Sequence, residues 1–305
     1  MSKIQDAIRR LQSSQEVASL SRGEAETQRL ARLTRPDTSS DATIDLDKER
    51  VITLDLDLLR QTGFLAPTEQ RRFIADQYRV IKRPLLDNAS GRGAHQSEDA
   101  NLVMVGSPLP GDGKTFNCIN LALSIATEKD KSVLLVDADV AKPHISMLFG
   151  LENEPGLIDL LTNSNLEVGD VLLQTNIPGL IVLPAGKQDE HATELLASRR
   201  MARLVHVLST SLPDRITVFD SPPLLVTSEA RVLASVMGQI VLVVCAGRTP
   251  QNAVLEAAAS LDPDKPISVV LNRAGRGLGG DGYGYANYGT YGSAVRSERQ
   301  ESKGE

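Results

Sequence analysis

Six short apolar runs punctuate the chain, at residues 102–105, 133–136, 180–183, 216–219, 240–244 and 267–271, with longer stretches of helical periodicity between them. Uninterrupted apolar runs of this length predict strands buried on both faces, and the intervening stretches predict crossover helices. Together they predict an α/β domain built on a mostly parallel sheet. Ahead of the runs, residues 68–86 carry apolar positions at helical spacing, and Pro84 with the polar NASGRG after it predicts the end of that helix. Periodicity returns as early as Val51, whereas residues 13–50 are polar, mixed in charge and poor in large apolar side chains. Such a stretch cannot bury enough surface to order itself and predicts a linker. Before it, Ile4, Ala7, Ile8 and Leu11 fall at i, i+3, i+4 and i+7, the stripe of a short amphipathic helix. That helix either packs on its own domain or docks on a partner.

After Asn272 the pattern dissolves into RAGRGLGGDGYGYANYGTYG, which holds eight glycines and four of the chain's five tyrosines. No core can form there, and the polar residues 293–305 predict a disordered end. The organisation expected is therefore an amphipathic helix and largely disordered linker at 1–66, an α/β domain at 67–272, and a flexible Gly/Tyr-rich tail at 273–305.

Composition adds exclusions. Apolar residues at 41% and charged ones at 24% are ordinary for a globular chain. The formal net charge of -6 argues against a nucleic-acid partner, which selects a basic surface. Cys118 and Cys245 lie far apart inside apolar stretches and read as small buried hydrophobes, pointing to a reducing, cytoplasmic compartment. The start MSKIQDAIRRLQSS lacks the apolar core of a signal peptide, and the apolar run at 240–246 is too short to cross a bilayer. The expectation is a chain that is not itself a membrane protein.

The candidate chemistry sits at the ends of the predicted strands. After the first run stands GSPLPGDGKT, opening a predicted helix at 116–126. Glycines let backbone N–H groups turn inward around phosphate oxygens, the helix N-terminus adds partial positive charge, and a lysine pairs with the β- and γ-phosphates. Pro110, Gly111, Asp112, Gly113, Lys114, Thr115 and Phe116 are thus the expected phosphate cradle for ATP, although Pro108 stands where the generic P-loop has its first glycine. The second run ends in Asp137 and Asp139, two apart on an extended chain and so facing the same way, and the fourth ends in Asp220. Three acids and a lysine at one sheet edge suit a nucleotide with Mg²⁺, which takes few protein oxygens and keeps phosphate and water as its other ligands. Asn272 and Arg273 close the last run as candidate nucleotide contacts; the Asn272 amide reads either as a hydrogen-bond partner for an adenine edge or as a turn former.

In order along the chain, SPLPGDGKT, DADVAKP, ATELLAS, FDSPP and a terminal tyrosine cluster resemble the bacterial tyrosine kinases called BY-kinases, over about residues 68–292. QYRVIKRPLL, FGLENEPGLIDLL, AGRTPQ and the MSKIQDAIRRL start look most like the exosortase-associated tyrosine autokinases of exopolysaccharide gene clusters. The resemblance implies a P-loop fold and an ATP- and Mg²⁺-dependent kinase whose tail tyrosines Tyr283, Tyr285, Tyr288 and Tyr291 accept phosphate. It implies Lys114, Asp137 and Asp139 as catalytic residues, with Asp137 activating the attacking hydroxyl or positioning metal water. It implies Thr115, Asp137 and Asp220 at the metal, with Asp139 completing that site. A membrane-anchored polysaccharide chain-length or activator protein, recruitment to the inner face of the membrane, other protein tyrosine substrates and a homo-oligomer, a ring being one form of it, follow from it as well. Two departures are visible. Ala141 stands where the family's second aspartate motif has Arg, leaving Lys142 as the nearby cation, and the family's ExxRxxR oligomerisation motif is represented by Asp76, Arg79 and Lys82. The competing reading, a partition or septum-site ATPase switch, lacks its signature lysine, because Leu109 stands five residues before Lys114.

Overall fold

The computed structural model describes residues 50–65, 72–94, 99–210 and 214–274. The strands are β1 (Arg50–Ile52), β2 (Leu102–Gly106), β3 (Ser132–Asp137), β4 (Leu173–Thr175), β5 (Leu180–Leu183), β6 (Arg215–Asp220), β7 (Gln239–Cys245) and β8 (Ile267–Asn272). They form one sheet in the order β1-β4-β5-β3-β6-β2-β7-β8. From β5 to β8 every pairing is parallel, whereas β4 pairs antiparallel with β5 and parallel with β1.

Side chains alternate along each central strand and feed two cores. Leu102, Met104, Leu134, Val136, Ile240 and Leu242 pack on one face; their neighbours Val103, Val105, Val133, Leu135, Val241 and Val243 pack on the other. The first face is covered by α5 (Leu157–Thr162), α8 (Arg199–Thr210), α9 (Ser228–Ser235) and α10 (Gln251–Ala259), with α6 (Val168–Val171) and α7 (Ala192–Leu196) at its margin. The second lies under α1 (Leu56–Gln61), α2 (Arg72–Ala89), α3 (Lys114–Ile125) and α4 (His144–Leu148). Burial on both sides is why β2, β3, β5, β6 and β7 read as apolar runs, whereas β8, expected to be buried on both faces, is an edge strand that leaves Val269 and Leu271 exposed.

Two expectations change. The folded body begins by Arg50 rather than at residue 67: β1 joins the sheet beside β4, and Leu54, Leu59 and Phe64 are core residues. Three-residue strands are too short to announce themselves by alternation. The helix expected over 68–86 is described from Arg72 and runs through Pro84 to Ala89, three residues past the expected end. Proline removes the bond to the carbonyl of Val80, but Val80 and Pro84 both lie on the solvent side, while Tyr78, Lys82 and Leu85 hold the opposite face down.

Candidate active site

Because β2, β3, β6, β7 and β8 are parallel, their carboxyl ends share one edge, which carries Gly106, Asp137, Asp220, Cys245 and Asn272. The P-loop leaves β2 there. Gly111 and Gly113 take φ of 80° and 97°, the left-handed region that glycine reaches without strain. Gly113 caps α3 without a side-chain hydrogen bond, so the first-turn amides of Lys114, Thr115 and Phe116 remain for an anion.

Lys114 bends over the loop into the acids. Its Nζ lies 2.7 Å from Asp139 Oδ2 and 3.9 Å from Asp220 Oδ1. Thr115 Oγ1 donates to Asp220 Oδ2 at 2.6 Å, and Asp137 Oδ2 accepts from both the backbone N and the Oγ of Ser146 at 2.8 Å. Ser146 is itself fixed, its Oγ accepting from Ala185 N. All three acids are buried.

The electrostatics leave a cation wanting. Burial raises the carboxyl of Asp220 to about 7 despite the opposing pull of Lys114 and the Thr115 hydroxyl. Burial likewise raises Asp137 to about 6, against the two Ser146 hydrogen bonds. Desolvation alone would lower Lys114, but Asp220 and Asp139 outweigh it and hold the lysine above its ordinary value. Asp137 Oδ1 and Asp220 Oδ1 are buried and accept no hydrogen bond among the described residues. Buried acceptors without donors are costly and rare. One lysine among three carboxylates leaves negative charge in excess. Both features fit a divalent cation that arrives with phosphate and water as its other ligands.

Not every expected contact faces the cradle. Asp112 is buried and braces the loop, accepting from Leu109 N and from Thr249 Oγ1. The ring of Phe116 turns away to pack on Phe64, with centroids 5.1 Å apart, so only its backbone serves the cradle. Asn272 Nδ2 donates to the carbonyl of Asp112 at 2.8 Å, clasping the loop. Arg273 and Lys142 are exposed, as is Ala141. On α2, Asp76 and Arg79 are exposed and pair with each other, but Lys82 does not share their face. Its side chain is 6% exposed, and Nζ caps the end of α3 through Ser124 O and Thr127 Oγ1 and pairs with Glu128 at 2.7 Å. Lys82 is therefore a buried tie within the domain, not a contact for a second copy. Tyr283, Tyr285, Tyr288 and Tyr291, with the stripe Ile4 to Leu11, lie outside the described residues. Sequence reading missed Ser146, Asn117 and Thr249, small polar residues whose partners are nine, four and 137 positions away. Among the described residues, no helix is long and apolar enough to cross a membrane.

No family model matches the chain. It is similar to the tyrosine-protein kinase YwqD of Bacillus subtilis, 31% identical over 236 residues, covering 76% of this chain and 92% of that one. The tyrosine-protein kinase CpsD of Streptococcus agalactiae is 30% identical, with 66% and 86% covered. The chain spans only 26% of the longer putative tyrosine-protein kinase EpsB of Ralstonia solanacearum, at 33% identity. Among solved structures, the kinase domain of VpsO superposes with a TM-score of 0.56 at 30% identity, covering 67% of this chain and 98% of that one. The kinase domain of Escherichia coli tyrosine kinase ETK gives 0.58 at 23%, a likeness of fold. With its phosphate loop, its edge of carboxylates and these relatives, the chain belongs to the bacterial tyrosine-protein kinases.

Proposed function

We propose that this kinase transfers the γ-phosphate of ATP to Tyr283, Tyr285, Tyr288 and Tyr291 of its own kind, mainly between neighbouring molecules, and so regulates exopolysaccharide synthesis or export. The observation that carries the reading is the buried Asp137 Oδ1, free of donors among the described residues, at the edge where β8 ends eleven residues before Tyr283.

Phosphoryl transfer needs positioning and charge neutralisation more than covalent help. The first-turn amides of α3 and Lys114 hold the phosphates, and Lys114 must exchange its Asp139 partner for them. Thr115, Asp137 and Asp220 would hold Mg²⁺, which when bound supplies charge neutralisation on the phosphates. An acceptor tyrosine with a pKa of about 10 gives its proton to Asp137 as attack proceeds, a task for which the Ser146 bonds keep that carboxylate oriented. The exposed Asp76 and Arg79 face is offered to a second copy, raising the local concentration of a neighbour's tail. Phosphates of about -1.5 to -2 charge each then loosen the assembly by repulsion. The cytoplasmic segment of a membrane-anchored partner raises activity at the membrane's inner face.

The test mixes a Lys114→Met chain with an active chain whose four tail tyrosines are Phe, in Mg·ATP, followed by mass spectrometry. Phosphate on the Lys114→Met tail is the expected result. A bare tail at assembly-forming concentration would count against transfer between molecules.

A further inference from the structure

The P-loop is shouldered from the β7 side by a turn that nucleotide chemistry has not yet been asked to use. Between β7 and α10, Thr249 Oγ1 accepts from Cys245 N at 2.9 Å and donates to Asp112 Oδ1 at 2.7 Å, which locks the turn against the loop. One residue earlier, Arg248 reaches across the loop's outer bend. Its Nη1 lies 3.4 Å from the Gly111 carbonyl, and a Cβ built on Gly111 would stand 2.9 Å from Nη2. The guanidinium thus occupies the space a side chain at position 111 would fill. It is exposed, and no carboxylate among the described residues lies in salt-bridge range of it. One long hydrogen bond engages a group with five N–H donors.

Its place in the sheet says which part of a nucleotide it meets. Lys114, Asp139, Asp137 and Asp220 mark the reacting-phosphate end, over β3 and β6. Across the loop, over β7 and β8, the nucleoside end is left. The described residues there, 246–250 and 272–274, include no aromatic side chain to cover a base. A guanidinium plane stacks on flat π-systems as a small cation such as lysine cannot.

We propose that Arg248 is a nucleotide-binding residue whose guanidinium lies against the purine base, giving this kinase its grip on the nucleoside half of ATP. This rests on the nucleotide-binding reading above. The experiment measures, by calorimetry on the full chain, binding of Mg·ATP, Mg·ADP and Mg·tripolyphosphate to wild type, Arg248→Ala and Arg248→Lys, with a thermal melt of each ligand-free protein. Arg248→Ala is expected to weaken ATP and ADP about tenfold, leave tripolyphosphate and the melt unchanged, and find no rescue in Arg248→Lys. Equal weakening of all three ligands, or rescue by lysine, would assign the residue to phosphate and overturn the proposal. So would unchanged ATP binding, or a lowered melt accompanying the loss, which would make Arg248 a loop brace. Wild type that bound no nucleotide would overturn the underlying reading instead, and this one with it.

Discussion

Tyr78, on α2, donates its hydroxyl to Asn117 Oδ1 at 2.9 Å, and Asn117 Nδ2 donates in turn to the carbonyl of Gly113 at 2.9 Å. The one tyrosine outside the tail is thereby buried and tied to the phosphate loop, and burial raises its hydroxyl well above the ordinary tyrosine value. It cannot present itself as an acceptor without leaving the core. Phosphate mapping after incubation with Mg·ATP should therefore find Tyr78 bare and the tail modified. Phosphate on Tyr78 alone would defeat the tail hypothesis. Tyr78→Phe should cost about 1 to 2 kcal/mol in a denaturant titration, since it strands the Asn117 acceptor.

Lys114→Met removes the ammonium that pairs with Asp139 and Asp220 at the edge of three buried carboxylates. Tail phosphorylation should fall more than about hundredfold, the order lost when one charge-stabilising donor is removed. Far-UV circular dichroism should show the fold intact. An active Lys114→Met protein would refute the site assignment.

The stability of the ligand-free protein should carry the signature of Asp220 and Asp137, raised chiefly by burial to about 7 and about 6. Between the ordinary carboxylate value and these values the folded chain holds protons that the unfolded chain has released. Their contribution is therefore fully present below about pH 4 and is lost as pH rises from there through 6 and 7. Asp220→Asn should remove much of this slope and make the ligand-free protein more stable than wild type at pH 8, by on the order of a few kcal/mol. It should also abolish the Mg²⁺-dependent part of the thermal shift given by ATP. Melts at pH 5 and pH 8 with both proteins check this; an unchanged slope would contradict it.

Arg79→Glu and Lys82→Ala should separate. Arg79 is exposed, so its reversal should weaken self-association in sedimentation while the melting temperature stays within measurement error. Lys82 is buried against Glu128 and the end of α3, so its loss should lower stability by about 3 kcal/mol.

Much of this was readable from residues alone, for identifiable reasons. β2, β3, β5, β6 and β7 were legible because burial on both faces leaves few polar positions, and the strand at 180–183 appears with those bounds; β8 was legible as an apolar run although it is an edge strand with Val269 and Leu271 exposed. The three acids and Lys114 were legible because a parallel sheet collects its strand ends on one edge. β1 and β4 were not, since three residues cannot display a period. Nor was the inward turn of Lys82: a lysine on a helix reads as a solvated charge until the helix it caps is in view. The braces Thr249 and Asn272 depend on contacts 137 and 160 residues away, which no local pattern encodes.

Asp137 and Asp220 are directly registered partners at the last rung of the β3–β6 ladder. Their Cα separation is consequently a property of hydrogen-bonded backbone, about 4.8 Å between strands, and no side-chain rotation can alter it. Glutamate at either position would push its carboxylate a methylene too far into the cradle, and the rung would keep it from drawing back. Lengthening either acid by one methylene is thus a geometric intrusion that the peptide lattice cannot absorb.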